Sequence, residues 1–260
     1  MKHTCTNCHT SYEVSNTDLA FYDKVSPIVS GKKYSIPAPE KCPECRVQRR
    51  MAWRNERTLY NRKCNLCQKE IISIYHPRAE YTVYCPDCFN SDRWDPLAYG
   101  QEYDFSKSFF VQFKELMKKV PVFSLFQQRA NENCQYTNLT SDNKNCYLIF
   151  AAASNEYAFY TTYIQRCKDI SDCFFIFDSE LCYECIDCYN CYNLTYSQSC
   201  QHCSDSRLLY NCKSCKHCFG CVNLSNKEYC IFNQQYSPEE YEQKVNAFMS
   251  SRESFEQAKS

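Results

Sequence analysis

Glycine is nearly missing from this chain, with 3 residues in 260. That excludes the glycine-rich loops that cradle nucleotide phosphates. Net charge is missing too: 30 Lys and Arg stand against 30 Asp and Glu, so the overall balance selects no partner. No apolar run nears the roughly 18 residues of a spanning helix, and the opening MKHTCTNCHTSYEV lacks the apolar core of a secretion signal. These absences predict a cytoplasmic protein with no membrane partner, in a compartment that keeps thiols reduced. The five histidines, His3, His9, His76, His202 and His217, have no clear Ser, Cys or carboxylate partner. No catalytic constellation and no small-molecule substrate are indicated, so the expectation is a protein that is not an enzyme.

What the chain holds in quantity is sulfur and rings: 23 Cys, 22 Tyr and 17 Phe. A disordered chain does not carry so many large rings that must be buried. The odd cysteine count and the length argue against a secreted disulfide scaffold. The first eight cysteines form four CxxC pairs, Cys5/Cys8, Cys42/Cys45, Cys64/Cys67 and Cys85/Cys88. A two-residue gap turns both thiolates toward one ion, and two such knuckles complete a tetrahedral four-sulfur zinc site. CNLC and CPDC are 17 residues apart, inside the zinc-ribbon window. CTNC and CPEC are separated by 33, which requires an inserted element. SNTDLAFYDKV supplies one, with Ser15 as N-cap and Asp18 as its capping-box partner. Two structural zinc ions are therefore expected, in closed sites with no position for a reacting water.

The segment from CTNCHTSYEV through the FY helix to PEKCPECRVQRR resembles the bacterial family of probable zinc-ribbon domains. In that family a CxxC opens the domain, an aromatic-rich helix follows, and a KCPECR knuckle closes it before basic residues. The likeness covers about the first 50 residues and includes Cys5, Cys8, Cys42 and Cys45. The insert SPIVSGKKYSIPAPE is longer than the family pattern. The whole chain also resembles cysteine-rich zinc-ribbon proteins of bacteria with reduced genomes, a likeness that implies no particular activity.

The other 15 cysteines follow a different rule. Cys167, Cys185, Cys203 and Cys221 are 18 residues apart, as are Cys182, Cys200 and Cys218. In the same register cysteine exchanges with Ile149, Ile170, Ile176, Leu194, Leu224 and Ala158. A ligand cannot be replaced by isoleucine in the next repeat, but a packing residue can, and free cysteine packs as a small hydrophobe. A fixed short period is the mark of a solenoid. Eighteen residues suit one turn of a three-sided β-solenoid with rungs ~4.8 Å apart. Ala151, Asp169, Asp187, Asp205 and Asn223 share one column and read as corners. One feature resists this reading: strand side chains point inward every second residue, yet the cysteines recur every third. CYECIDCYNC, Cys182–Cys191, also has the look of an iron–sulfur motif, but its last gap is two residues and Tyr192 follows where ferredoxins place proline. Soft-metal capture by stacked thiols stays open as an alternative.

Two helices are expected as caps. FSKSFFVQFKELMKKVP places Phe109, Phe113, Leu116 and Val120 on one face, and YSPEEYEQKVNAF does the same with Tyr241, Val245 and Phe248. Between the metal sites, Arg46 to Lys63 holds seven basic residues and one acid. Arg46, Arg50, Arg54 and Arg57 fall at helical spacing, with Arg49 and Arg62 nearby and Trp53 and Tyr60 available for stacking. Such a stripe suits RNA or DNA, and equally suits a solvated face or charges that neutralise the metal sites. The fold expected is a small mixed α+β zinc-ribbon module followed by an all-β solenoid of 18-residue repeats with capping helices. Its parts are residues 1–100 for the double ribbon, 101–127 for linker and cap, 128–235 for the solenoid, and 236–260 for the final helix and a frayed tail. The function expected is zinc-dependent binding, with nucleic acid at the arginines and a protein partner on the solenoid. Thiol-based metal handling and a purely structural scaffold are the alternatives.

Overall fold

The computed structural model describes residues 1–52, 55–127 and 131–250. The chain forms two compact units, Met1–Asn55 and Glu56–Ser260, so the boundary falls between the two pairs of CxxC knuckles. The first unit opens on an antiparallel hairpin of β1 (Lys2–Thr4) and β2 (Ser11–Glu13). Helix α1 (Asn16–Val25) follows with the expected capping box, Ser15 accepting from Asp18 N at 3.1 Å while Asp18 accepts from Ser15 N at 2.8 Å. The inserted stretch then forms a two-residue hairpin, β3 (Ile28–Val29) with β4 (Lys32–Lys33), and leads to helix α2 (Pro43–Met51). α2 ends at Met51. Of the expected arginine stripe, Arg46 and Arg50 lie on α2, Arg54 lies outside the described residues, and Arg57 lies beyond the helix.

The second unit begins with the same device: a hairpin of β5 (Tyr60–Lys63) and β6 (Glu70–Ser73), then β7 (Val83–Tyr84) and a single helical turn, α3 (Pro86–Phe89). Helix α4 (Phe109–Lys119) does not close the solenoid as expected. Its apolar side chains other than half-buried Leu116 stay exposed, Phe110 by 78%, and its one buried residue is Gln112. That amide accepts from Asp104 N and donates to Asp104 O, at 2.8 and 2.9 Å, which pins the preceding loop. β8 (Val122–Phe123) instead pairs in parallel with β7 and carries the chain into the first turn.

The solenoid is real, but its turn is twelve residues, not eighteen. From Asn138 to Ile231 every parallel strand pairing joins residues twelve apart: Phe150 with Thr162, Cys182 with Leu194, Cys218 with Cys230. From Asn133 to Phe232 every third residue has positive φ, without interruption. Each turn thus has four sides of three residues, reading left-handed corner, inward side chain, outward side chain. Ala151, Asp169, Asp187, Asp205 and Asn223 all sit at such corners, as the sequence register implied. Asn and Asp tolerate that backbone region best among non-glycine residues, which is how the coil turns with hardly any glycine. Eighteen residues are a turn and a half. A step of that size keeps the three-residue phase and lands on the opposite wall, so it repeats in sequence without being a structural turn. The three-residue recurrence that clashed with strand alternation is the true unit.

Hydrogen bonding explains the interior. Outward residues donate to the inward carbonyl eleven ahead, as in Glu180 N to Cys191 O at 3.0 Å. Corner residues donate thirteen back, as in Asn190 N to Phe177 O at 2.9 Å. The inward amide finds an acceptor in the side chain twelve residues earlier: Cys191 N to Ser179 Oγ at 3.0 Å, Leu209 N to Ser197 Oγ at 3.1 Å, Cys215 N to Cys203 Sγ at 3.5 Å. Asn131, Asn143 and Asn155 stack as an internal amide ladder, with Nδ2···Oδ1 distances of 3.0 and 2.8 Å. Cysteine meets both demands of this narrow core. It is small and apolar, and its thiol donates to main-chain carbonyls, Cys185 to Tyr183 O at 3.3 Å and to Leu194 O at 3.5 Å. At the far end Glu228–Ile231 folds back on Gln234–Gln235, and helix α5 (Pro238–Met249) covers the last turn. Tyr241 and Val245 pack there on Phe219 and Ile231, with Phe248 beside them, as the sequence predicts for this cap.

Candidate metal centres

Two sets of four thiols converge, Cys5/Cys8/Cys42/Cys45 and Cys64/Cys67/Cys85/Cys88, each with all Sγ atoms within 4.8 Å of one another. They are the eight residues singled out by spacing. The two sites are built alike. In each, the first knuckle closes a hairpin: Cys5 N donates to Thr10 O and His9 N to Cys5 O, both 3.0 Å, while Cys64 N donates to Lys69 O at 2.9 Å and Gln68 N to Cys64 O at 3.0 Å. His9 and Gln68 follow the second cysteine in the left-handed region, at φ 60° and 63°. His9 is thus a turn residue and not a ligand. The second knuckle of each site opens a helix, with Cys42 and Cys85 as N-caps and Pro43 and Pro86 behind them. Cys45 and Cys88 then return from the first turn.

The geometry suits a tetrahedral metal. Zinc–sulfur bonds of about 2.3 Å require sulfurs about 3.8 Å apart. Cys8 and Cys42 are separated by 3.6 Å, and Cys67 and Cys85 by 3.8 Å. Main-chain amides aim at the sulfurs: Asn7 N to Cys5 at 3.4 Å, Cys45 N to Cys42 at 3.5 Å, Cys85 N to Cys64 at 3.3 Å. The amide of Cys8 leads in pulling the Cys5 thiol down to about 5. Cys45 is drawn down by the Asn7 side chain, yet the crowding sulfurs of Cys42 and Cys8 push it up to about 12. Burial works to raise Cys64, but the amides of Cys67, Cys85 and Leu66 bring it to about 6, whereas burial lifts Cys85. Four thiolates cannot share such a space without a cation, and a dication held by all four resolves the conflict. These residues fit a structural metal.

Sequence reasoning missed two residues here. Asn7 donates its Nδ2 to Cys45 Sγ at 3.4 Å, and Arg93 donates to Cys88 Sγ at 2.9 Å. Arg93 lies outside the basic segment, five residues past its partner, so no charge cluster marks it. The arginines that were singled out have other surroundings. Arg46 donates to Tyr22 OH at 3.1 Å, and Arg49 and Arg50 are exposed on the last turns of α2. Arg54 and Trp53 lie outside the described residues. Arg57 belongs to the second unit and lies over the rings of Tyr163 and Phe174, 5.8 and 5.9 Å from their centroids. Arg62 donates to His76 O, Asn65 Oδ1 and Tyr81 O, tying the second hairpin together.

The solenoid cysteines form no third convergent group among the described residues. Cys182, Cys185, Cys188 and Cys191 occupy the four walls of one turn, all inward and no more than 2% exposed. Burial pushes thiols such as Cys146 and Cys167 up to about 11. All 23 cysteines are free of disulfides. No protein-family profile and no curated protein matches the chain. No described helix is long and apolar enough to cross a membrane.

Proposed function

We propose that this protein is a zinc-stabilised, non-catalytic binding scaffold. One observation carries the reading: eight thiols converge into two closed four-sulfur sites, while the solenoid thiols line a core. A site saturated by four thiolates offers no coordination position for chemistry, so the metal's role is to hold the fold. The solenoid then supplies a regular surface of about eight turns. A protein partner fits the outward column of Phe174, Ile186, Tyr210 and Val222, whose apolar side chains are exposed. Reduced thiols throughout favour a cytoplasmic setting. For RNA or DNA, exposed Arg49 and Arg50 are the candidates among the described residues of the first unit. The test is elemental analysis of protein purified without added metal. Two zinc ions per chain are expected, with one lost in Cys42→Ser and one in Cys85→Ser. Iron, or more than two soft metal ions per chain, overturns the reading in favour of thiol-based metal handling.

A further inference from the structure

One wall of the solenoid carries two clefts, of about 380 and 350 Å³, that share Tyr157 and Phe159 and so form one trough along the coil axis. Its first rim is the corner column, Asn133, Asn145, Tyr157, Asp169, Leu181 and Asn193, at successive turns. Its second rim is an outward column holding Tyr147, Phe159 and Tyr183. Between Asn133 and Asn193 lie five steps of one turn, about 24 Å at the usual rung spacing.

The chemistry of the rims is specific. Tyr157, Phe159 and Tyr183 are 41%, 36% and 39% exposed, enough to offer ring area to a ligand. The rings are also held. Tyr147 meets Tyr136 and Tyr160 edge-on, both at 5.6 Å, and Tyr183 meets Tyr196 edge-on at 5.5 Å. Phe159 and Tyr183 stand on the outward rim, whereas the corner rim adds to Tyr157 three side-chain amides and one carboxylate, which pair with groups that both donate and accept. Among the described residues that line the clefts there is no Lys or Arg. The neighbouring column, Glu132, Lys144, Glu156, Lys168 and Glu180, alternates in sign along the pairings, with Glu132 and Lys144 in contact at 3.6 Å. Its field cancels over successive turns. A polyanion needs a run of cations and finds none in the trough.

We propose that this trough binds a linear, uncharged glycan, laid along the coil with its sugar rings stacked on the aromatic rim and its hydroxyls bonded to the amide rim. A pyranose ring has an apolar C–H face and an edge of hydroxyls, the two surfaces that the rims match. A chain of such rings joined through equatorial bonds advances by close to one rung per sugar, so the same contact repeats along the wall. Prefixed aromatic rings and ladder-bound amides lower the ordering cost of that contact. This proposal is independent of the metal sites, and the zinc count stands whatever its outcome.

The test uses the full zinc-loaded chain and titration calorimetry with short linear β-1,4-linked oligomers of glucose, xylose and mannose. Oligogalacturonate and oligouridylate serve as anionic controls. Binding of at least one neutral oligomer is expected, unaffected by salt, with neither anionic control bound. Tyr157→Asn and Phe159→Ser together should weaken it by about tenfold or more. Both replacements already occupy equivalent positions, Asn145 at a corner and Ser171 in the same outward column, so the coil accommodates them. Amide-exchange protection of Cys182–Cys191 confirms that the variant is folded. Binding only of the anionic controls, neutral binding that the folded double variant retains, or no binding of any neutral oligomer overturns the proposal.

Discussion

Removing metal from this protein should melt one unit and spare most of the other. Among the described residues, the first unit buries four apolar side chains, Cys5, Val14, Cys42 and Cys45, and three of these belong to the four-thiol cluster. Helix α1 buries nothing, and the two hairpins are three and two residues long per strand. Burying one valine contributes about 1.5–3 kcal/mol. Ordering each residue costs about 1–2 kcal/mol of backbone entropy, so a single valine cannot hold some fifty residues in place. A structural zinc supplies about 10–16 kcal/mol of folding free energy, several times what that valine contributes. The second unit has an unbroken hydrogen-bond ladder and its own buried core from Cys146 to Cys230. Chelation at neutral pH, followed by hydrogen exchange with mass spectrometry, should abolish protection in residues 2–13 and 43–51. Protection across residues 150–231 should persist. The second four-thiol set meets the coil through β7 and β8, where Ser124 N donates to Tyr84 O at 3.0 Å, and nearby Asn138 donates to Glu56 O at 2.9 Å, so fraying there should stop within the first turns. If the first unit keeps its protection after both metals are counted as removed, the reasoning fails.

Other outcomes follow from the interior of the coil. Asn143→Ala should cost about 3–6 kcal/mol in denaturant unfolding, because Asn155 N, Asn155 Nδ2 and Ala152 O all lose a buried partner; a cost below 1 kcal/mol would show that water replaces the ladder. Cys203→Ser should be close to neutral, since a hydroxyl offers Cys215 N an acceptor like those at Ser197 and Ser206, and a loss as large as that of Asn143→Ala would refute this account. Gly220→Ala should destabilise by about 1–3 kcal/mol, its new Cβ lying 2.9 Å from the Phe232 ring at φ +62°, and Phe232→Ala should relieve only the steric part, which a double-mutant cycle reads. Raising pH from about 9 toward 11 should lower the melting temperature of the coil. Burial holds Cys146, Cys167 and Cys212 protonated up to about 11, whereas the unfolded thiols ionise near 9.0 and so favour unfolding over that interval. A melting temperature flat across it would sink the argument.

Much of this was legible because cysteine appears in two distinct grammars. The eight converging thiols were readable from gap length, which is a local constraint on where two thiolates can point. The C-terminal cap was readable from the stripe of Tyr241, Val245 and Phe248 in YSPEEYEQKVNAF, and Ser237 and Glu240 form a capping box at its start. The length of the turn was not readable from cysteine spacing. Any multiple of three residues keeps a side chain inward, so a cysteine-rich stretch offers several apparent periods, and steps of 12 and of 18 each join seven pairs of the later cysteines. The pairing of Glu132, Lys144, Glu156, Lys168 and Glu180 at steps of twelve is the signal that distinguishes the turn, since opposite charges stack on neighbouring rungs. The failed cap at α4 has a different cause. Its stripe is as regular as that of α5, but amphipathicity says only that a helix has an apolar face and not what covers it.

The same side chain serves as ligand in one part of the chain and as filling in another, and the backbone decides which. In the knuckles, two thiolates leave one tight loop toward a common point, and a second loop from a helix start meets them there. In the coil, each wall holds one inward residue, followed by a left-handed corner that turns the next residue onto a different wall. Cys182, Cys185, Cys188 and Cys191 therefore face one another across a turn without drawing into a common four-sulfur cluster. Their hydrogens have carbonyl acceptors already, Cys191 to Tyr189 O at 3.2 Å and Cys188 to Ile186 O at 3.4 Å. Metal capture there would require breaking those bonds and drawing the walls together against the hydrogen-bond ladder. Ile, Leu, Ala, Ser and Asn share these positions because the wall asks for small volume and, where possible, an acceptor for the amide of the next turn. Cysteine satisfies both conditions, which accounts for its abundance in the coil without assigning it any chemistry there.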